Sequence, residues 1–543
     1  MPPTHQVTNQ VPPLIGHNAT SADPALLAGL GAVGVGIDGS LTELGAAAGS
    51  AELQQAARLA NEYPPRLRTH DGTGHRIDEV EYHPAWHTLM TAAVGAGLHA
   101  APWAPGAGAH PHLRRAAGFY LWNFTEAGHL CPISMTYAVI PALRHAPALA
   151  ARYEPSLQAR SYDFGLRPPA DKAGLLAGMS MTEKQGGSDV QANTTTAVPD
   201  SGADDAGAAG YRLTGHKWFT SAPMNDLFLS LARTPAGLSC FLLPRVLPDG
   251  SRNAIALQRL KDKLGNRSNA SAEIEYDGAF GWLVGDEGRG VPTIIEMVTM
   301  TRLDCVLGSA GQLRAAVTHA AHHAAHRSAF GRPLIDQPAM TAVLADLAVE
   351  SWAATLTGLR LAQAVDAGER DLLRLALPVS KFWVCKRAVP AIAEALECLG
   401  GNGYVEESVL PRLFRESPLN GLWEGSGNVT ALDALRAVGR SPAAVAALRD
   451  ELAGAAGVNP LFDADLRRLE SALADPAPAT ARRIASLTAK LLAGSLLIKL
   501  APAAVADLYC ATRLGDAGDR VFGDLPAGYP LAEIASAVTP APR

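Results

Sequence analysis

Three stretches of this 543-residue chain place together side chains that could do chemistry. In the first, Trp423-Glu424-Gly425-Ser426-Gly427-Asn428, a carboxylate stands among small residues near the start of a helical pattern. Such a carboxylate serves as a general base when partial desolvation raises its pKa towards the operating pH. In the first turn of a helix it would simply favour the dipole. The second stretch, Met179 to Val190, sets hydroxyls beside glycines. It can offer backbone N–H groups and hydroxyls to a polar ring or a phosphate, or form a plain surface turn. The third pairs Arg327, able to make charge-assisted contacts to phosphate, with Gly400-Gly401, where backbone donors can approach closely or a helix can end.

Other patterns carry less. Gly29-Leu30-Gly31-Ala32-Val33-Gly34 fits the G-x-G-x-x-G string, but no strand precedes it and no βαβ context follows, which argues against a dinucleotide site. His319, His322, His323 and His326 share roughly one helical face, yet they lead into Arg327, where a packed or subunit-facing helix is expected, and no metal is assigned. The six cysteines are scattered with no C-x-x-C pair, so reduced, mostly buried thiols are expected rather than zinc or a disulfide framework.

These stretches need elements to position them. Helical periodicity runs from about Ser40 to Ala177, short β-rich runs follow from Gly178 to about Gly290, and long helical patterns return from Val291 to about Arg440. The last of those helices is expected to start near Glu424. A further Ala- and Leu-rich helical segment follows Ser441. The expected fold is α+β, mainly α, in four parts: an N-terminal helical domain (1–177), a central β domain (178–290), a helical bundle (291–440) and an appended helical domain (441–543). The formal charge of -6 is mild and interspersed, which names no polyanionic partner. The N-terminus lacks a signal-peptide pattern and the apolar stretches are interrupted, so a cytoplasmic protein with no membrane contact is expected.

Met181 to Val190 resembles the T-E-x-x-x-G-S-D flavin signature of the acyl-CoA dehydrogenase family, and Gly215 to Ser221 resembles its G-x-K-x-W-I-T strand, with Phe219 in place of the tryptophan. Leu264 to Ser271, Leu283 to Gly290, Arg327 to Gly331 with Gln337, Leu399 to Tyr404 and Trp423 to Asn428 resemble further landmarks in the same order. The resemblance implies FAD as cofactor. It implies contacts from Met179, Ser180, Met181, Thr182, Gly187, Ser188, Phe219, Thr220 and Ser221, and from Leu422, Trp423, Glu424, Gly425, Ser426, Gly427 and Asn428. Arg327, Phe330, Gln337, Gly400 and Gly401 would serve the adenosine and pyrophosphate of a FAD held mainly by a neighbouring subunit, which implies a homotetramer. Glu424 would be the catalytic base that removes an α-proton from an acyl-CoA while the β-hydride passes to flavin.

His83 to His87, Cys131 to Thr136, Met181 to Val190, Leu260 to Ser271, Trp423 to Asn428 and the extra C-terminal segment are similar to the AidB-like, adaptive-response branch of that family. This implies a role in the DNA-alkylation response, with duplex DNA as partner and weak acyl-CoA dehydrogenase activity; an acyl-CoA dehydrogenase for short or branched chains is the alternative. Arg436, Arg440, Arg467, Arg468, Arg482 and Arg483 are the candidate DNA contacts, with Lys490, Lys499, Arg513 and Arg520 following. Nearby acids bring this region close to neutral, as an ordinary solvated helical surface also would.

Overall fold

In the computed structural model, which describes residues 4–200, 207–515 and 528–539, the elements follow the polarity pattern of the sequence with one early exception. The chain begins with α1 (Pro24–Gly31), α2 (Gly39–Ala48) and α3 (Ala51–Glu62). It then turns through a hairpin of β1 (Arg66–His70) and β2 (Arg76–Glu81) before returning to helix in α4 (Pro84–Gly95), α5 (Pro111–Trp122), α6 (Leu130–Leu143) and α7 (Pro147–Leu157). The hairpin corrects the helical reading of this segment: β1 alternates exposed and half-buried residues, and Gly74 at φ 93° supplies the left-handed turn residue. Asp23 starts α1 by accepting from the N–H groups of Ala25 and Leu26, and its other oxygen accepts from the Tyr120 hydroxyl. Gly29 of the G-x-G-x-x-G string lies in α1, where a Cβ would meet Leu359 at 2.5 Å. The glycine there serves close helix packing.

Seven strands form one sheet: β3 (Ala177–Ser180), β4 (Thr196–Pro199), β5 (Gly210–Ser221), β6 (Leu227–Thr234), β7 (Gly237–Pro244), β8 (Ile255–Leu260) and β9 (Ser271–Val284). The order is β3-β6-β4-β5-β9-β7, with β8 beside β9 and β7 paired back onto β6. That last pairing closes the sheet on itself around Leu213, Phe241, Leu243, Leu257 and Ile274, and so satisfies strand edges that would otherwise stand open. β5 and β9 run antiparallel from Gly210 opposite Trp282 to Ser221 opposite Ser271, with a register shift between Lys217 and Thr220. The contacts place this sheet in a compact unit made of Glu52–Pro111 and Glu126–Thr301.

A second compact unit contains the residues up to Ala51, His112–Thr125 and the chain from Arg302 onwards. Its elements include α8 (Gly290–His326) from Arg302, a short hairpin of β10 (Ser328–Ala329) and β11 (Arg332–Pro333), α9 (Pro338–Asp366), α10 (Arg370–Glu397), α11 (Gly401–Tyr404) and α12 (Leu410–Glu416). They continue with α13 (Gly427–Arg440), α14 (Pro442–Ala453), α15 (Pro460–Ala474), α16 (Ala481–Leu500), α17 (Ala503–Arg513) and α18 (Leu531–Ser536). α10 packs on α9, α13, α14 and α16, and α18 packs on α9, so the helices after Ser441 share the core of the bundle. α9 is long and apolar enough to cross a membrane, but 72% of its most apolar window is buried among the other helices.

The fastening of α17 is electrostatic. Arg513, 2% exposed, donates to Asp346 at 2.5 Å and to Glu350 at 3.1 Å, while Arg387 reaches the same Glu350 oxygen at 2.9 Å. Burial opposes ionisation of Glu350, but Arg387 and then Arg513 outweigh it and hold the carboxyl below its usual range. Removing one partner of a buried pair leaves the other uncompensated, at a cost of ~3–5 kcal/mol. Arg513→Met is therefore expected to lower the thermal midpoint and to open the chain around α17 to limited proteolysis; an unchanged midpoint and digestion pattern would show that the pair fastens nothing.

Candidate functional site

The Met179–Val190 loop leaves the sheet at the end of β3, and one buried carboxylate anchors it. Glu183 accepts from the backbone N–H of Thr194 at 2.7 Å and of Thr195 at 3.1 Å, from the Thr195 hydroxyl at 2.6 Å and from the Lys217 ammonium at 2.8 Å. Lys217 also donates to the carbonyl of Leu231, and the N–H of Trp218 donates to the carbonyl of Thr182 at 2.8 Å. The loop is thus tied to β5 at its start. Beyond Glu183 it is open: Ser188 is exposed, and Met179, Met181, Thr182 and Gly187 are half-buried. Gly187 rests against Thr182, where a Cβ would stand 2.5 Å from the hydroxyl oxygen, so only glycine permits this approach.

In an unbroken strand Lys217 and Thr220 would face opposite ways. The register shift between them turns both inward, leaving Phe219 51% exposed and Ser221 half-buried. Ser180 and Thr220 face each other instead, their hydroxyls 2.5 Å apart and both buried, so they brace β3 against β5. Lys261 was not among the expected site residues. Its ammonium lies 3.4 Å from the Trp218 ring centroid and 4.7 Å from that of Phe219, and it is paired with Glu273. Nothing local signals it, because β8 and the loop after it bring it across to β5.

In the helical unit Glu424 does not begin a helix. α13 starts at Gly427, and the carboxylate precedes it in a turn where Glu424 has φ 57° and Gly425 φ 101°. The expected helix start is corrected by three residues, and the first-turn reading of Glu424 goes with it. Arg302 donates to the Glu424 carbonyl at 2.9 Å and pairs with Asp433 at 2.7 Å; Lys381 donates to the carbonyls of Asn420 at 2.9 Å and Gly425 at 2.8 Å. Leu422 is 63% exposed, Trp423 is half-buried with its indole N–H on Asn420, and Ser426 stands at the helix cap. Arg482 of α16 donates to Asn428 at 2.8 Å, and a Cβ at Gly427 would meet the Lys386 ammonium at 2.9 Å.

Elsewhere in this unit, Arg327 donates to the carbonyl of Asn9, whose side chain also bonds both backbone groups of Ser328 at 2.8 Å. Phe330, at φ 52°, stands 99% exposed at the hairpin tip, and Gln337 closes the hairpin onto the Ala329 carbonyl at 3.0 Å. Gly400, at φ 59°, ends the turn after α10, while Gly401 opens α11; both are exposed. His322 meets the carbonyl of Pro12 and lies beside His326, the rings tilted by 45° with centroids 4.3 Å apart.

The candidate basic residues divide. Arg436, Arg440, Arg467 and Arg483 are exposed with no carboxylate at ion-pair distance among the described residues, and Arg468 pairs with Asp465 at 2.9 Å. Arg513 is corrected from surface to core. Lys499 is engaged by Glu451, Lys490 lies 5.1 Å from the Trp383 ring centroid, and Arg520 falls outside the described residues.

Glu183 gives a test of the loop anchor. Burial opposes its ionisation, but the Lys217 hydrogen bond leads the contributions that outweigh it, and the carboxyl is held well below the usual 4.5. With the folded pKa depressed, the stabilisation is present above about pH 4.5 and is lost as pH falls below that value. Glu183→Gln should flatten this acid limb of stability, measured as thermal midpoint against pH; parallel curves for variant and wild type would refute the anchor.

Three family models match the chain: the adaptive response protein AidB N-terminal domain over residues 9–164, the acyl-CoA dehydrogenase middle domain over 178–279 and its C-terminal domain over 288–439. The putative acyl-CoA dehydrogenase AidB of Escherichia coli K12 is 45% identical over 95% of both chains. Acyl-CoA dehydrogenase family member 11 of Caenorhabditis elegans is 33% identical over 71% of this chain and 64% of its own length. The crystal structure of Caenorhabditis elegans ACDH-11 in complex with C11-CoA superimposes with a TM-score of 0.82 at 28% identity, covering 96% of this chain and 95% of that one. An acyl-CoA dehydrogenase from Bacillus anthracis complexed with FAD shares the fold at a TM-score of 0.60 and 18% identity, covering 79% of this chain and 77% of that one. The chain belongs to the acyl-CoA dehydrogenase family, in the branch that carries the AidB N-terminal domain.

Proposed function

We propose that this chain is an FAD-dependent oxidoreductase acting on an acyl thioester, with Glu424 as its base. The observation that carries the reading is the Glu424 turn: two cations bind its carbonyls, and a carboxylate is left at the mouth of a helix rather than inside it. The loop of the β unit fits a flavin. Thr182, Gly187 and Ser188 offer hydroxyls and backbone donors to ring and phosphate, Phe219 offers an exposed aromatic face and Ser221 a further hydroxyl. Met179 and Met181 line the same rim; Ser180 and Thr220 act from behind as braces.

FAD, when bound, supplies the acceptor for the hydride that leaves the β-carbon. Glu424 takes the proton from the α-carbon, and Leu422 and Trp423 flank it with apolar surface that desolvates the carboxylate once a thioester covers them. Ser426, Gly427 and Asn428 present the positive end of α13 to negative charge. Arg327, Phe330, Gln337, Gly400 and Gly401 would hold the adenosine and pyrophosphate of a neighbouring copy's FAD within a homotetramer.

Glu424→Gln removes the base with little change of shape. It is expected to keep FAD bound while abolishing the bleaching of flavin absorbance by isovaleryl-CoA or an eleven-carbon acyl-CoA. Bleaching at the wild-type rate would remove Glu424 from this role.

A second reading is favoured by the exposed Arg436, Arg440, Arg467 and Arg483 and by the 45% identity to a protein named AidB: the chain binds duplex DNA in the alkylation response and shields or detoxifies alkylated sites. Binding would be to phosphates, without base readout. Replacing Arg436, Arg440 and Arg483 by Glu should weaken duplex affinity and reduce the log–log salt slope by about 0.9 for each phosphate that is no longer neutralised. Wild-type binding at low salt no tighter than that of an unrelated acidic flavoprotein would end this reading.

A further inference from the structure

The turn that presents Glu424 is strained. Glu424 at φ 57° adopts a left-handed conformation that is unfavourable for a residue with a Cβ, whereas Gly425 at φ 101° adopts its own freely. Such a conformation persists where the surroundings over-determine it. Lys381, near the middle of α10 and 2% exposed, does so from beneath. Its ammonium donates to the carbonyl of Asn420 at 2.9 Å and to that of Gly425 at 2.8 Å, before and after Glu424 in the chain. Among the described residues Lys381 has no carboxylate partner. A buried ammonium is expensive unless paired or well bonded, and here the carbonyls of the turn are the groups that bond it. Arg302, by contrast, is neutralised by Asp433 while it holds the Glu424 carbonyl. The thiol of Cys305 lies within reach of both charges: burial is the main cause of its raised pKa, Lys381 lowers it and Glu424 raises it. The ammonium and the carboxylate thus both act on one buried thiol.

We propose that Lys381 is a positioning residue for Glu424: its ammonium staples Asn420 to Gly425, fixes the left-handed turn and sets a positive charge beneath it. The inference rests on the reading of Glu424 as base. The staple itself can be judged without that reading.

The test compares FAD-loaded wild type with Lys381→Met and Lys381→Arg at equal FAD content. Backbone amide exchange, followed by mass spectrometry, should be about tenfold faster in Lys381→Met for the peptide spanning 419–427, with other α10 peptides close to wild type. Lys381→Arg, which keeps charge and donors, should fall between. With isovaleryl-CoA and an eleven-carbon acyl-CoA as probes, Lys381→Met should bleach the flavin about tenfold more slowly at little-changed KM. Its acid limb should move to higher pH, because loss of a neighbouring cation raises a carboxyl pKa and the base form fills later. If Lys381→Met does not fold with FAD, Lys381→Arg and Lys381→Gln carry the same comparison. Exchange in the turn equal to wild type would overturn the staple. Faster exchange with unchanged bleaching rate and acid limb would overturn its part in the reaction. Bleaching of Glu424→Gln at the wild-type rate, or no bleaching of wild type by either probe, would sink the base reading instead, and the exchange data would then decide the staple alone.

Discussion

A carboxylate that is to work as a base must be held firmly without being neutralised by the groups that hold it. On the proposed reading of Glu424 as a base, two cations hold the backbone of its turn: Arg302 donates to the carbonyl of Glu424, and Lys381 to those of Asn420 and Gly425. Much of the helical unit can be understood from this arrangement. α10 must bring Lys381 under the turn, α8 must bring Arg302 beside it, and α13 must start late enough for Glu424 to stay outside its first turn.

The same logic runs in reverse where charge serves the scaffold. Glu183 in the β unit accepts from Lys217, from hydroxyls and from backbone N–H groups, and is held strongly ionised. Asp346 and Glu350 are likewise closed by Arg387 and Arg513. These carboxylates are buried and closed by charge-assisted bonds, so they fix geometry. Several charge-assisted bonds on one carboxylate mark the structural acids of this chain more clearly than burial does.

The fold was legible, and the segments around Thr182 and Glu424 stood out as candidates, because their signals are local. Hydroxyls beside glycines, Gly400-Gly401 and the acid before Gly425 are read within a few positions, and the long helices keep their period. What was not legible depends on contacts far apart in sequence or on broken periodicity. Asn9 reaches Arg327 and Ser328 across 318 and 319 positions, and Lys381 reaches Gly425 across 44. The shift between Lys217 and Thr220 reverses an alternation that the sequence states plainly. α10, by contrast, was legible despite Pro378 and Pro390 inside it, and its packing on α9, α13 and α16 outweighs two lost hydrogen bonds. The β1–β2 hairpin hid for another reason: with charges on both faces it shows little hydrophobic alternation, and only its glycine-rich turn marked it.

The basic side chains of the last hundred residues look, in sequence, like one surface. In space they separate by depth. Arg513 is core, Arg468 and Lys499 are paired, and Arg436, Arg440, Arg467 and Arg483 remain in solvent. Arg482 belongs to neither group: it binds Asn428 at the start of α13, and Lys386 and then Lys381 follow towards the interior. Lys386 shows the cost of this row, its ammonium pushed below the usual range by burial and by repulsion from Arg482 and Lys381. Coulomb interactions strengthen as the dielectric falls along such a row, so the exposed Arg482 acts on Lys386, and Lys386 shares its repulsion with Lys381, which bonds the carbonyls of the Glu424 turn.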